Sequence, residues 1–471
     1  MIGGRRARAD GVEFQDVLDP ATGEQIARVP LSSAGAVDEA ARAAASAADE
    51  WADVPVMERA RLMFRVQALL ERDFEELSEV VVRENGKALD EARGEVRRGI
   101  DVVEFAAGMP TLMLGGALEQ VSRGVDTELF HHPLGVVAAI TPFNFPAMVP
   151  LWTAPIAIAA GNAYILKPSP RTPLSAMRLA EVFEEAGSPP GVFSVLHGGE
   201  EAVNAICDHE LIRAVSFVGS APVAKAVYAR SAAAGKRVQA LAGAKNHIVV
   251  MPDADLDVAA PGMFSSAFAN AGQRCLAGAV GVAVGEIADE LSERLAGMAR
   301  GARVGPGLDP ESTITPVTTQ AARERIAGYI EIGEQEGARI LVDGRREDGD
   351  GFFLGPTILD QVRPEMRVAQ EEIFGPVLAL ERLDSLDEAL DAIARNEFGN
   401  ASAIFTRSGA VARAFRRKVT AGMVGINVPV PASMAFFPFA GWKGSFYGDL
   451  HATGMDGVRF FTETKVVTTR W

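Results

Sequence analysis

Between residues 135 and 234 the chain repeats one pattern. A short unbroken apolar run is followed by a longer helix-like stretch. The apolar runs are GVVAAI (135–140), AYILK (163–167), VFSVL (192–196) and AVSFVG (214–219). The helical pattern occupies 147–160, 173–187, 200–207 and a stretch from 220 to about Ala234. Strands that are apolar on both faces and alternate with helices predict a parallel sheet covered on both sides, an α/β fold. Ligands of such sheets lie at the carboxyl ends of the strands. That rule puts ILKPS (165–169) and FVGS (217–220) at a predicted cofactor crevice.

A second α/β run begins at HIVVM (247–251) and continues to about 430. Its parts are ARILVDG (338–344), EIFGPVLAL (372–380), the helix-like LDEALDAIARN (386–396), SAIFTR (402–407) and MVGINV (423–428). Two outlying pieces read as strands of an extra sheet: 119–133 and the tail FFTETKVVTTRW (460–471). The tail alternates polar and apolar residues at period two, as a half-covered strand does. Strands at chain ends often pair across subunit boundaries, so a homo-oligomer is expected.

Composition narrows the partners. The 471 residues suggest two or three domains. The formal net charge of −16 is spread along the chain, which argues against nucleic acid and anionic membranes. The longest apolar stretch, 147–166, contains Pro150, Pro155, Gly161 and Asn162 and reads as a buried helix leading into a strand rather than a membrane span. The N-terminal MIGGRRARAD has arginines but no apolar core, so no secretory signal is predicted. Two cysteines, Cys207 and Cys275, exclude a disulfide framework and point to reducing cytoplasm. Cys207 lies in the helix-like AVNAICDHEL and reads as structural. No G-x-G-x-x-G follows a strand, and no Walker loop is present. His131 and His132 would face opposite ways on a strand, and no metal site is predicted.

The candidate nucleophile is Cys275, in AGQRCLAG (271–278). Only the thiolate is nucleophilic, and the adjacent Arg274 is expected to favour it. Gly272, Ala277 and Gly278 let a substrate approach the backbone.

Six segments in order, TPFNFP (141–146), LKPSP (166–170), FVGS (217–220), GAKNH (243–247), AGQRCLAG and EEIFGPV (371–377), resemble the aldehyde dehydrogenase superfamily over essentially the whole chain. PFNFPAMVP, QALAGAKNH and NVPVPASMAFFPFAGWKGSF (427–446) are similar to its CoA-acylating methylmalonate-semialdehyde branch. The resemblance implies a parallel-sheet NAD-binding domain (1–118 and 134–242), an α/β catalytic domain (243–430) and a small oligomerisation β-sheet (119–133 and 455–471), assembled as a homotetramer or homodimer.

By the same resemblance, Cys275 attacks the aldehyde and the Asn144 amide holds the resulting oxyanion with the Cys275 N–H. A donor of that kind is worth about 3–4 kcal/mol of barrier. NAD contacts are implied for Thr141, Phe143, Lys167, Arg171, Ser220, Glu372 and Phe374. The family often places Glu three residues after the lysine, where this chain has Pro170; NAD remains the expected cofactor, with less discrimination against a 2′-phosphate. Ala224 stands where many relatives have Gly, with little consequence expected. Arg98 and Arg274 match a pair that this branch uses on a substrate carboxylate, and two guanidiniums suit a short acid.

One departure bears on the reaction. Hydrolytic relatives carry a glutamate general base in E-L-G-G-K, and the matching segment here is Leu241-Ala242-Gly243-Ala244-Lys245. Leucine accepts no proton, so a thioester on Cys275 should persist until a thiol arrives, and coenzyme A is the expected co-substrate. The implied reaction is NAD-linked, CoA-acylating, decarboxylating oxidation of methylmalonate or malonate semialdehyde. Two alternatives stay open at this point: a hydrolytic dehydrogenase with another base, and a catalytically idle binding or structural protein on the same fold.

Overall fold

The computed structural model describes residues 1–6, 13–345 and 350–471. The basic stretch at residues 1–10 lies partly outside them. The first α/β run forms a six-stranded sheet. Its order is Phe446–Gly448, Arg237–Leu241, Ile212–Val218, Val136–Ile140, Ala163–Lys167 and Phe193–Val195. Five strands are parallel, and Phe446–Gly448 adds antiparallel to the Arg237–Leu241 edge. The Val136–Ile140 and Ala163–Lys167 strands are buried along their whole length, which is why they read as unbroken apolar runs.

The helix Met148–Ala160 is buried on every side, so no amphipathic stripe marks it. It packs closely on Leu89–Ala107, where a Cβ on Gly99 would stand 2.5 Å from Leu151 Cδ1. Gly161, at φ +107°, ends the helix and turns the chain into the next strand.

The second run forms a seven-stranded sheet, in the order Arg339–Val342, Thr357–Val362, Val377–Leu383, Gly278–Val284, Asn246–Val250, Ala401–Phe405 and Met423–Ile426. All of its pairings are parallel except that of the Arg339–Val342 edge. Residues 372–376 of the expected EIFGPVLAL segment are loop, and the strand begins at Val377.

The extra sheet has three antiparallel strands, Thr462–Arg470, Val125–Pro133 and Gly116–Ser122. The tail departs from expectation in its first residues. Gly454–Phe460 is helical, and only Thr462–Arg470 is strand. Val458 and Phe460 are buried, and Gly457 lies against Ile156 of the buried helix. Tertiary packing therefore sets a helix over residues 455–460, which the resemblance assigned to the small sheet. No helix among the described residues is long and apolar enough to cross a membrane.

Candidate active site

The two large sheets border one cleft of about 1840 Å³. Nine of the sequence-predicted site residues line it: Thr141, Phe143, Asn144, Lys167, Arg171, Ser220, Cys275, Glu372 and Phe374. A cavity of that size exceeds a typical single-ligand pocket and has room for a dinucleotide beside a small substrate.

The residues at the strand ends fit a nucleotide. Lys167 is buried and donates to the carbonyls of Pro168 (2.9 Å) and Gly198 (3.0 Å), which leaves one ammonium hydrogen unspent. Burial lowers its pKa to about 8. The Thr141 hydroxyl is buried at the cleft wall without a hydrogen-bond partner. Ser220 caps the Ala221–Ala233 helix without spending its hydroxyl on the helix. Free N–H groups and the helix dipole at that end favour a pyrophosphate. Phe143 meets Phe374 edge-on at 5.9 Å, and the Arg171 guanidinium lies 5.2 Å from the Phe143 centroid. Phe374 holds φ +51°, an uncommon conformation for a side-chain-bearing residue. Glu372 accepts the Ala244 N–H at 2.8 Å. Burial raises its pKa, opposed by that hydrogen bond and by Lys245. Lys245 is itself buried with no hydrogen-bond partner and is lowered to about 7.

Cys275 is presented by a strained turn. Asn270, Ala271 and Gly272 have φ of 51°, 50° and 70°. Left-handed conformations cost an ordinary residue roughly 1–2 kcal/mol each. A Cβ on Gly272 would come within 2.1 Å of the Gly375 carbonyl oxygen. Glu91 accepts the Asn270 N–H at 2.7 Å and helps to hold the turn. Asn246 (2.9 Å) and Asn400 (2.7 Å) both donate to the Cys275 carbonyl, and Asn246 Oδ1 accepts from Ala401 N. Asn144 donates to the Gln273 carbonyl at 2.9 Å, which leaves its second amide hydrogen for the cleft.

The thiol does not behave as the sequence suggested. Burial pushes its pKa up to about 12, and Glu372 adds to the rise. Arg274 and the Cys275 and Leu276 N–H groups pull the other way and lose. Desolvation of a sulfur anion outweighs one nearby cation that is itself desolvated. Alkylation of Cys275 in the ligand-free protein is therefore expected to accelerate about tenfold per pH unit from about pH 7 to about pH 10, since the thiolate fraction does. Peptide mapping after timed iodoacetamide treatment checks this; a plateau below about pH 9 contradicts it.

The arginines sit apart from the main cleft. Arg98 is exposed on the Leu89–Ala107 helix. Its neighbour Arg97 is exposed too, ion-paired with Glu71 and lying over the Phe74 ring. Arg274 feels Glu91, Cys275 and Arg98 electrostatically. Among the described residues no carboxylate forms an ion pair with Arg98 or Arg274. Two neighbouring guanidiniums without a carboxylate partner suit an anionic group. Cys207 is buried with a raised pKa, consistent with a packing role.

Sequence reasoning missed several residues that hold the site. Asn246, Asn400 and Gln273 fix the cysteine loop through side-chain amides, with Gln273 Oε1 accepting from the Thr318 N–H and hydroxyl. Lys87 and Glu95, fully buried, lie behind Asn144. The signal available for Lys87 was E-N-G-K (84–87), charged residues directly after an apolar helix face; for Glu95 it was a single carboxylate within GEVRRGI (94–100).

The aldehyde dehydrogenase family model matches residues 7–467. A malonate-semialdehyde dehydrogenase of Geobacillus kaustophilus (strain HTA426) is 56% identical over 473 residues, covering 100% of this chain and 97% of the relative. Another, from Geobacillus thermodenitrificans (strain NG80-2), is 54% identical, with 100% and 98% covered. The crystal structure of methylmalonate-semialdehyde dehydrogenase from Oceanimonas doudoroffii has a TM-score of 0.98 at 45% identity, covering 100% of this chain and 97% of that one. A Sinorhizobium meliloti 1021 protein solved in complex with NAD has a TM-score of 0.98 at 42% identity, with the same coverage. With a cysteine presented in a cleft between two parallel sheets and a family match along almost its full length, this chain belongs to the aldehyde dehydrogenase family.

Proposed function

We propose that the enzyme oxidises malonate semialdehyde or methylmalonate semialdehyde, with NAD as hydride acceptor, and passes the acyl group from Cys275 to coenzyme A. The observation that carries the CoA assignment is Leu241, which lines the cleft beside Cys275 as a buried apolar side chain where hydrolytic relatives place a base. Full-length similarity to malonate-semialdehyde dehydrogenases supports the substrate class.

The chemistry follows from the residues. The Cys275 thiol gives up its proton to solvent, its sulfur bonds to the aldehyde carbon, and the carbonyl π pair moves to oxygen. The free Asn144 amide hydrogen and the Cys275 N–H stabilise that oxyanion. NAD, when bound, supplies the two-electron acceptor for the hydride that leaves the carbon. Lys167, Ser220, Thr141, Arg171, Glu372, Phe143 and Phe374 would hold it. The carbon is then a thioester on sulfur. Leu241 offers no proton acceptor, and the Glu372 carboxylate is held by the Ala244 N–H. A CoA thiolate attacks the thioester carbon, the bond to Cys275 breaks, and the cysteine thiolate is released. The β-carboxylate leaves as CO2, its electron pair passing into a thioester enolate that is then protonated. The product is acetyl-CoA or propanoyl-CoA.

Arg98 and Arg274 would receive the substrate carboxylate from outside the main cleft, a role supported by their mutual electrostatic influence and by Arg274 directly preceding Cys275. Arg274→Leu is expected to raise KM for the semialdehydes about 10- to 100-fold, the loss of a charge-assisted pair. KM for propanal should change less than about threefold. Equal effects on both aldehydes would remove the clamp. Assembly as a homotetramer or homodimer is supported by exposed Leu118, Val121, Phe130, Val466 and Trp471 on or beside the three-stranded sheet.

The deciding experiment measures NADH from both semialdehydes with and without CoA. A stoichiometric burst without CoA and sustained turnover with it are expected. Full-rate turnover to free acid without any thiol overturns the reading.

A further inference from the structure

The loop that carries Asn144 has little backbone bonding of its own. Pro142 and Pro146 have no N–H, and the Thr141 N–H is spent on Lys167. The shortest bonds holding the loop backbone come from two N-terminal helices, Phe74–Asn85 and Leu89–Ala107, and from Lys87 between them, with longer contacts from Thr172 (3.5 Å) and Asn270 (3.4 Å). Lys87 Nζ donates to the Asn144 carbonyl at 2.7 Å and to Glu95 Oε2, and lies 4.2 Å from the Phe145 ring centroid. Glu95 Oε1 accepts the Ala147 (2.8 Å) and Met148 (3.1 Å) N–H groups at the start of the buried helix. Asn85 Nδ2 donates to the Phe143 carbonyl at 3.0 Å. The Lys87 and Glu95 side chains are both fully buried.

A buried ion pair contributes little net stability, because desolvation offsets the attraction. This one makes its outward hydrogen bonds to residues 144, 147 and 148. We propose that Lys87 and Glu95 are positioning residues for oxyanion stabilisation. They pin the backbone on both sides of Phe145, so that the Asn144 amide keeps one hydrogen on Gln273 and turns the other toward the substrate oxygen. The inference rests on the thioester chemistry proposed above. Neither residue touches substrate; both act through Asn144. A shift of a fraction of an ångström in an oxyanion donor is enough to lose much of its effect.

The test uses the full chain. Lys87→Met/Glu95→Gln removes both charges together, avoiding an unpaired buried ion, and keeps an acceptor for Ala147 and Met148. The single-turnover NADH burst is expected to fall roughly 10- to 100-fold, within the 10²–10³ that a whole oxyanion donor is worth. Alkylation of Cys275 by iodoacetamide at about pH 9 forms no oxyanion. It should stay within about twofold of the unaltered enzyme, as should NAD affinity. Asn144→Ala should slow the burst by roughly 10²–10³. Adding Lys87→Met/Glu95→Gln to it should slow it no further, since the two changes act through one amide.

A burst within about twofold of the unaltered enzyme, a parallel fall in alkylation, or additive losses in the triple variant would each overturn the inference. If Asn144→Ala alone keeps the full burst, the acylation reading itself fails. Should the double variant not fold, Asn85→Ala removes the amide donor to the Phe143 carbonyl and leaves it only the longer contact of the Thr172 hydroxyl, at 3.5 Å. It is expected to slow the burst by roughly three- to tenfold, about one hydrogen bond's worth, with alkylation unchanged; no slowing overturns the proposal.

Discussion

Cys275→Ala is expected to stop NADH formation from either semialdehyde, with a loss on the order of 10⁴-fold or more, as for removal of other covalent nucleophiles. The loop should survive the change. Its carbonyl is held by Asn246 and Asn400, and its turn by residues 270–272, none of which uses the sulfur. The Asn144–Gln273 contact is equally independent of the thiol. The variant should therefore keep NAD affinity and thermal midpoint close to those of the unaltered enzyme, and fail only in chemistry. Stopped-flow absorbance for NADH, beside calorimetric cofactor binding, separates the two. NADH formation above about one per cent would mean that hydride transfer does not require a sulfur adduct, contrary to the covalent route.

Leu241→Glu should convert the enzyme toward hydrolysis. Leu241 ends the Arg237–Leu241 strand, pairs in register with Phe446 and lines the cleft. A carboxylate there would be partly desolvated, which raises its pKa toward neutrality and suits it to take a proton from water. CoA-independent release of free acid should rise by about 10²–10⁴, the usual worth of a positioned base. The acylation burst should remain, since it does not pass through residue 241. Measuring acid and NADH in the absence of thiol decides it. An unaltered rate of acid release would show that base loss at 241 is not what preserves the thioester. The same side chain replaces a buried leucine, so some stability is expected to be lost.

The cofactor sheet was legible because its central strands are buried on both faces, and such strands leave an apolar run that local reading detects. The helix Met148–Ala160 was legible by length and context rather than by periodicity. The tail was read as strand from 460, and the resemblance put the small sheet from 455, yet Val458 and Phe460 find a burial site that makes residues 454–460 helical. Phe446–Gly448 joins the edge of the first sheet, far from that sheet in sequence, and nothing local announces it. The site followed the same division. The chemistry-bearing residues stood in short segments whose resemblance could be quoted, and nine of eleven line one cleft. Arg98 and Arg274 lie apart from it: on the Leu89–Ala107 helix neighbouring residues stand about 100° apart, so only packing fixes where Arg98 faces, and Arg274 sits in a loop that carries no periodicity.

By itself the sequence determined which groups are present: a cysteine, an amide, the side chains that match the family's cofactor contacts, and a leucine where hydrolytic relatives carry a base. Covalent identity is local, and no folding event alters it. The tertiary structure decided how those groups behave. It set the half-buried Cys275 where desolvation of its thiol outweighs Arg274, left the Asn144 amide with one free hydrogen, and set Lys87 and Glu95 behind it. Electrostatic energies depend on what surrounds a charge, and those surroundings come from residues up to about 200 positions away in the chain.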